Sequence, residues 1–199
     1  MRLMLLRHGE TLWNIEKRLQ GHCNSPLSQR GIRQAQAIKP LIQQLSPQLV
    51  VCSDLGRTVK TAELIGYTEA VRDPQLRELN MGKWSGLKKS DLIQHQADLY
   101  RDWRNGDYTP EDGENWHDFC QRIKQSLLRW AEQSSGDILA VVHSGVIRAA
   151  CHSLIGLSAA HLLPATQGTL TIFNIKPHSP IKLEAYNLGG MPPDLDVAD

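Results

Sequence analysis

The apolar positions of the chain fall into two periods. Residues 1–7, 48–52 and 137–142 are short, nearly unbroken apolar runs of strand length, the pattern of strands buried on both faces. Between them the spacing changes to that of helices. From Ser28, whose hydroxyl suits an N-cap, Ile32, Ala35, Ile38, Leu41 or Ile42, and Leu45 share one face. Pro40 lies inside this pattern and costs about 3 kcal/mol in a helix interior, so a kink or break is expected at Lys39-Pro40. A turn at Ser53-Asp54 is expected to cap a second helix running to about Ile65. Strand, helix, strand, helix predicts a βαβ unit with parallel pairing and a right-handed crossover.

Farther along, Trp116, Phe119, Cys120, Ile123, Leu127, Trp130 and Ala131 repeat at helical spacing and read as core packing. A helix over 146–155 stops at Gly156. Residues 169–175 and 181–186 are expected to form an antiparallel hairpin at the sheet edge. Residues 72–113 are the least regular stretch, punctuated by Gly82, Gly86, Gly106 and Gly113 and carrying Trp84, Tyr100, Trp103 and Tyr108. They read as a lid-like lobe over the strand ends, whose aromatics either wall a substrate or pack the lobe itself. Residues 1–188 are expected to form one domain, with 189–199 a frayed polar tail.

Composition narrows the classes of function. With 199 residues, 22 Lys+Arg against 21 Asp+Glu and a net charge of +1, the chain has no basic stripe for a nucleic-acid backbone. Cys23, Cys52, Cys120 and Cys151 show no CxxC spacing and read as reduced thiols of a cytoplasmic protein. His117 and Cys120 are three apart, but no second pair completes a metal site. Neither a signal peptide nor a bilayer-spanning run is expected. No metal or cofactor is expected, and a homodimer is left open.

The candidate chemistry sits at strand ends, where open α/β sheets bind ligands. The first run delivers Arg7-His8-Gly9-Glu10-Thr11, the second leads to Arg57, and the third ends at His143-Ser144-Gly145. Two arginines match phosphate oxygens with planar, permanently charged forks, and Arg57 lies in a helix's first turn, where amides and dipole favour an anion. A neutral His8 with one ring nitrogen held by a backbone carbonyl has the other free to attack phosphorus. Glu78 is the best candidate for protonating the leaving alkoxide. His143, expected to be charged beside phosphate, stabilises developing negative charge, and Asn14 and Gln20 donate to the same oxygens. The expected ligand is a small phosphomonoester.

With those motifs in place, the chain resembles the histidine phosphatase superfamily, the phosphoglycerate-mutase-like enzymes. The matches are Leu6-Arg7-His8-Gly9-Glu10-Thr11 with Asn14, Ser53-Asp54-Leu55-Gly56-Arg57-Thr58 with Thr61-Ala62-Glu63, Arg77-Glu78-Leu79 with Gly82 and Gly86, and Val142-His143 with Gly145. The resemblance implies a three-layer α/β/α sandwich, mostly parallel with an antiparallel edge strand. It also implies His8 as nucleophile, Glu78 as proton donor, and Arg7, Arg57 and His143 as the phosphate pocket, completed by Asn14 and the Ser144 amide.

Within the superfamily, Gln20-Gly21-His22, Ser25-Pro26-Leu27-Ser28, Asp112-Gly113-Glu114 and Leu154-Ile155-Gly156-Leu157 look most like the α-ribazole-5′-phosphate phosphatases of cobalamin assembly. Broad-specificity phosphatases and cofactor-dependent phosphoglycerate mutases are the alternatives. The chain is short for a mutase, and its aromatic 84–108 stretch suits a bulkier ligand. A non-catalytic phosphate binder would lack nucleophile or acid, and neither is missing. One departure stands out: Val142-His143-Ser144 replaces the common Ser-His-Gly. Activity is expected to survive, with oxygen placement shifted.

Overall fold

A computed structural model describes residues 1–158 and 161–191. Six strands form one sheet in the order β3-β2-β4-β1-β5-β6, with β1 at Arg2–Arg7, β2 at Leu49–Cys52, β3 at Val71–Arg72, β4 at Ile138–Val142, β5 at Thr169–Asn174 and β6 at Lys182–Gly189. β3, β2, β4 and β1 are parallel; β5 runs antiparallel to β1, and β6 pairs antiparallel with β5 as the outer strand of the hairpin.

Alternation along the strands sorts the core into two faces. Met4 and Leu6 of β1 and Leu139 and Val141 of β4 pack against Ala35, Ile38 and Ile42 of α2 (Gln29–Leu45) and Ala62 of α3 (Gly56–Leu64). Leu3 and Leu5, with Ile138, Ala140 and Val142, pack instead against Phe119, Ile123 and Leu127 of α6 (Trp116–Gln133) and Val146, Ile147 and Ala150 of α7 (Ser144–Ile155). This is a three-layer α/β/α arrangement, with the period-2 pattern of β1 and β4 deciding which helix meets which face.

Several sequence expectations are corrected. β1 and β2 are parallel but not neighbours, because β4 lies between them and pairs with both. Hydrophobic periodicity records that a strand is buried and says nothing of which strand lies beside it. Helix α2 continues unbroken through Pro40. Pro40 and Gln36, whose carbonyl the proline cannot meet, both lie on the exposed side, so water can satisfy that carbonyl. Leu55, not Ser53 or Asp54, is the N-cap of α3. The expected tail begins inside β6, which runs to Gly189, and residues 192–199 lie outside the described ones.

The 72–113 lobe contains two helices that glycine punctuation had hidden, α4 (Lys89–His95) and α5 (Ala97–Asn105). After β1, one short turn, α1 (Leu12–Ile15), precedes α2. Trp84 anchors the lobe's aromatics, with ring centroids 5.9 Å from Trp103 and 5.4 Å from Tyr108. These rings join the same apolar cluster as the sheet, so packing accounts for most of them.

The lobe is tied down by Asp73, which is buried. Its Oδ2 accepts hydrogen bonds from Ser126 Oγ (2.7 Å), Arg129 Nη2 (2.6 Å) and Trp130 Nε1 (2.7 Å) of α6, while Oδ1 accepts the Gln75 amide at 2.9 Å. Burial alone would raise this carboxyl's pKa, but these donors and the Arg129 charge hold it below the ordinary value. Asp73→Ala strands the Ser126 and Trp130 donors and should cost about 3 kcal/mol of unfolding free energy. Since folding lowers the pKa, the carboxylate's contribution is complete above the unfolded value of about 3.9 and is lost as pH falls through the folded value. Urea unfolding should therefore show a constant gap between parent and variant from pH 5 to 8, shrinking below about pH 4. A gap under about 0.5 kcal/mol at pH 7 would contradict this role.

Candidate active site

The register of two strands brings the histidines together. Arg7 of β1 pairs with Val142 of β4, so the next residues, His8 and His143, leave the sheet side by side at its carboxyl edge. The His8 amide donates to the Val142 carbonyl at 3.0 Å, and the two rings meet edge to face with centroids 5.3 Å apart. Gly9 then passes close against the start of α2: a Cβ there would lie 2.4 Å from the Gly31 carbonyl oxygen, so only glycine fits. The Gly9 amide donates to Thr61 Oγ1 at 3.1 Å, and that hydroxyl donates to the Arg57 carbonyl at 2.8 Å, linking β1's exit to α3.

His8 has a defined tautomer. Its Nδ1 lies 2.7 Å from the Gly9 carbonyl, which can only accept, so Nδ1 carries the proton and Nε2 keeps its lone pair. Burial, followed by the charges of Arg57 and Arg7, pushes its pKa well below the ordinary histidine value, against the smaller pull of the Gly9 bond. His8 is a neutral, oriented imidazole with one nitrogen free.

Arg7 and Arg57 are both buried, and burial pulls each guanidinium down to about 10, with Glu78 acting in the opposite direction. Both remain cationic at neutral pH. Arg7 Nη1 donates to the Ala165 carbonyl at 2.5 Å. Arg57 Nη1 and Nη2 donate to the carbonyls of Cys23 and Gly21, each at 2.8 Å, and its buried Nε has no partner. The fork that the sequence reading aims wholly at phosphate is thus partly spent on holding the loop that carries Gln20 and Gly21. One hydrogen on each terminal nitrogen, with Nε, is left for an anion.

The charge expected on His143 beside phosphate is opposed by the ring's own surroundings. His143 is fully buried, both ring nitrogens lack partners, and burial, then Arg57, His8 and Arg7, holds its pKa well below the ordinary value. The charges that act on the ring, those of Arg57, Arg7 and the neighbouring imidazoles, all disfavour its protonation. A phosphate dianion would reverse that balance.

Glu78 is half-buried and lies across the pocket, its Oε1 accepting the Leu79 amide at 2.8 Å and its Oε2 the Gly145 amide at 3.0 Å. A Cβ on Gly145 would sit 2.2 Å from Oε1, so the glycine is what admits the carboxyl. The Glu78 backbone is fixed from three sides. Arg77 forms a double hydrogen bond to Asp54 (2.8 and 2.5 Å), Arg122 donates to the Arg77 carbonyl at 3.1 Å, and His22 Nε2 donates to the Glu78 carbonyl at 2.9 Å.

One cavity is lined by Arg7, His8, Asn14, Gln20, Gly21, Arg57, Glu78 and Ser144, every site residue of the sequence reading except His143, which contacts it through His8. Asn14 Oδ1 accepts from the Thr11 amide and hydroxyl, both at 3.0 Å, which leaves its Nδ2 to donate. Gln20 Oε1 and Ser144 Oγ are buried without partners. Thr61, Gly145, His22, Arg104, Trp116 and Arg148 also shape the site and were given no site role from sequence, while Trp103, one of the aromatics expected either to wall a substrate or to pack the lobe, lines the cavity. Arg148 had one available signal, standing four residues after Ser144 and so on the same side of α7. The rest depend on tertiary approach. Among the described residues no group of three or more His, Cys, Asp or Glu is placed to hold a metal, and no helix is long and apolar enough to cross a membrane.

A neutral imidazole with a free nitrogen, two buried cations and a carboxyl opposite form a constellation for in-line phosphoryl transfer. Comparison with known proteins agrees with that chemistry. The chain is 38% identical over 165 residues to the adenosylcobalamin/α-ribazole phosphatase of Escherichia coli K12, covering 80% of this chain and 81% of that protein. It is 33% identical to a probable phosphoglycerate mutase of Escherichia fergusonii over 80% and 77% of the two chains. The α-ribazole phosphatase of Shigella flexneri superposes with a TM-score of 0.82 at 34% identity, over 94% and 96% of the chains. A mycobacterial glucosyl-3-phosphoglycerate phosphatase, solved with VO3, gives 0.83 at 30% identity over 94% and 99%. Residues 3–188 match the family model of the histidine phosphatase superfamily, branch 1. The chain belongs to the histidine phosphatase superfamily.

Proposed function

We propose that this protein is a phosphomonoesterase working through a phosphohistidine on His8, and that α-ribazole 5′-phosphate is among its substrates. The observation that carries the reading is the His8 ring: Nδ1–H is given to Gly9, Nε2 is free, and burial between Arg7 and Arg57 keeps it neutral. Nε2 attacks phosphorus as the ester P–O bond breaks, and Glu78 gives its proton to the departing alkoxide. Each Glu78 oxygen accepts one amide and keeps a lone pair for that proton. Water then attacks the phosphohistidine, its proton passes to the Glu78 carboxylate, and the P–N electron pair returns to Nε2. Arg7, Arg57, Asn14 and the Ser144 amide hold the equatorial oxygens. His143 takes on positive character when the dianion arrives.

The substrate assignment rests on the two α-ribazole phosphatases among the relatives. A mutase reading is favoured by the relatives named as such. It requires 3-phosphoglycerate to be isomerised, whereas the phosphatase reading requires free phosphate. We take residues 1–188 as a single catalytic domain. A reducing, cytoplasmic setting suits the four free cysteines, of which Cys52, Cys120 and Cys151 are buried and their thiols pushed up to about 11, 12 and 11 by burial.

Phosphate release from α-ribazole 5′-phosphate should fall at least about 10³-fold in His8→Ala. Retained turnover in that variant, or conversion of 3-phosphoglycerate to 2-phosphoglycerate without phosphate release, would refute the reading.

The acid role has its own signature. Glu78→Gln should slow alkyl phosphates by roughly 10²–10⁴-fold while p-nitrophenyl phosphate, whose leaving group needs little help, loses far less. Gly145→Ala should reproduce the same leaving-group dependence, because its methyl displaces the Glu78 carboxyl. A uniform loss for both ester types in Glu78→Gln would transfer the proton to His143.

A further inference from the structure

The β5–β6 hairpin lies at the sheet edge and contributes nothing to the chemistry directly, yet one loop connects it to Arg7. Residues 165–168 grip that arginine at two points. Its Nη1 donates to the Ala165 carbonyl, and the Gly168 amide donates to the Arg7 and His8 carbonyls at 3.1 and 3.3 Å. Ala165 is fully buried. A guanidinium so far from water depends on a carbonyl that stays in place.

Two successive side chains of β6 bracket that carbonyl. Tyr186 donates its hydroxyl to the Leu163 carbonyl, and Asn187 Oδ1 accepts the Thr166 amide at 2.6 Å. Thr169, at the start of β5, closes the arrangement. Its hydroxyl hydrogen is shared between the Thr166 carbonyl at 2.7 Å and Asn187 Oδ1 at 3.0 Å. Burial pushes the Tyr186 phenol up to about 12 while the Arg7 charge pulls it down, so it is a neutral donor at pH 7.

Neighbouring residues of a regular strand face opposite sides of the sheet, so both would not ordinarily reach one loop. The register shows how β6 manages it. Ala185 pairs with Ile172 and Leu188 with Leu170, so β6 spends one residue more than β5 between these pairs. The extra residue makes a bulge, which re-aims side chains. Asn187 lies in it at φ +57°, in the left-handed region that asparagine tolerates. We propose that Tyr186 and Asn187 are positioning residues for Arg7, aimed by the β6 bulge at the 163–166 loop so that the Ala165 carbonyl stays on the guanidinium. The edge hairpin thereby sets affinity at the phosphate end and leaves proton delivery by Glu78 alone. The effect on turnover rests on the phosphatase reading; the hold on Arg7 does not.

Three variants test this. Asn187→Gly keeps the left-handed backbone and loses the acceptor, Asn187→Asp keeps an oxygen for both donors, and Tyr186→Phe loses only the hydroxyl. Melting curves establish that each is folded. Nitrogen-15 NMR of the arginine-labelled protein, assigned with Arg7→Lys, follows exchange of the guanidinium hydrogens with water. Exchange at Arg7 should speed up by about 10-fold or more in Asn187→Gly and Tyr186→Phe. Arg57, held by Gly21 and Cys23, should not change, and Asn187→Asp should stay nearer the parent. In the same two variants vanadate inhibition should weaken about 10-fold and KM should rise. The ratio of alkyl to p-nitrophenyl phosphate turnover, which reports Glu78, should hold. Unchanged Arg7 exchange in both variants would overturn the proposal, as would equal loosening of Arg57 or a shifted ester ratio. If the parent hydrolyses no ester, the phosphatase reading fails, and the Arg7 and Arg57 exchange rates alone decide the positioning.

Discussion

Burying two guanidinium groups around one neutral imidazole is the constraint on which the rest of this structure depends. Arg7 and Arg57 stay charged with little water, and their fields, added to burial, keep the proton off His8 Nε2. Such a cluster is costly to assemble unless backbone carbonyls hold the cations. Those carbonyls come from Ala165 and from the loop of Gly21 and Cys23, two segments far apart in sequence. The loops that bring them in are therefore part of the charge-holding apparatus. Catalysis by preorganised electrostatics needs that arrangement in place before substrate binds.

The sheet supplies the remaining precision. Because Arg7 and Val142 are in register on adjacent parallel strands, His8 and His143 emerge together without a loop search. Glu78, in contrast, sits on irregular backbone and is positioned by an Asp54–Arg77 pair, an Arg122 contact, a His22 hydrogen bond and a glycine that leaves room for its carboxyl. Rigid strands fix the two histidines, and a pinned loop fixes the carboxyl that faces them.

Much of this was legible in the sequence for identifiable reasons. Unbroken apolar runs announced β1, β2 and β4, and residues at their carboxyl ends pointed to Arg7, His8 and His143. Pairing order was not legible, since both faces of these strands are buried and the pattern is the same whichever strand lies beside them. Pro40 misled because helix propensity does not record which face is wet. Glycines in the 72–113 segment hid α4 and α5. Arg104 and Arg148 escaped notice because an arginine on a helix is ordinarily a solvated surface group. Only their approach in space places them on the cavity wall.

The central claim is that His8 waits as a neutral ring with its proton on Nδ1. Nitrogen-15 NMR of the histidine-labelled resting protein at pH 7, assigned by comparison with His8→Gln, reads this directly. The account predicts a protonated Nδ1 and a bare, pyridine-like Nε2 at pH 7, which takes up a proton only well below the ordinary histidine range. An imidazolium at pH 7, or a proton on Nε2 with Nδ1 bare, would contradict it.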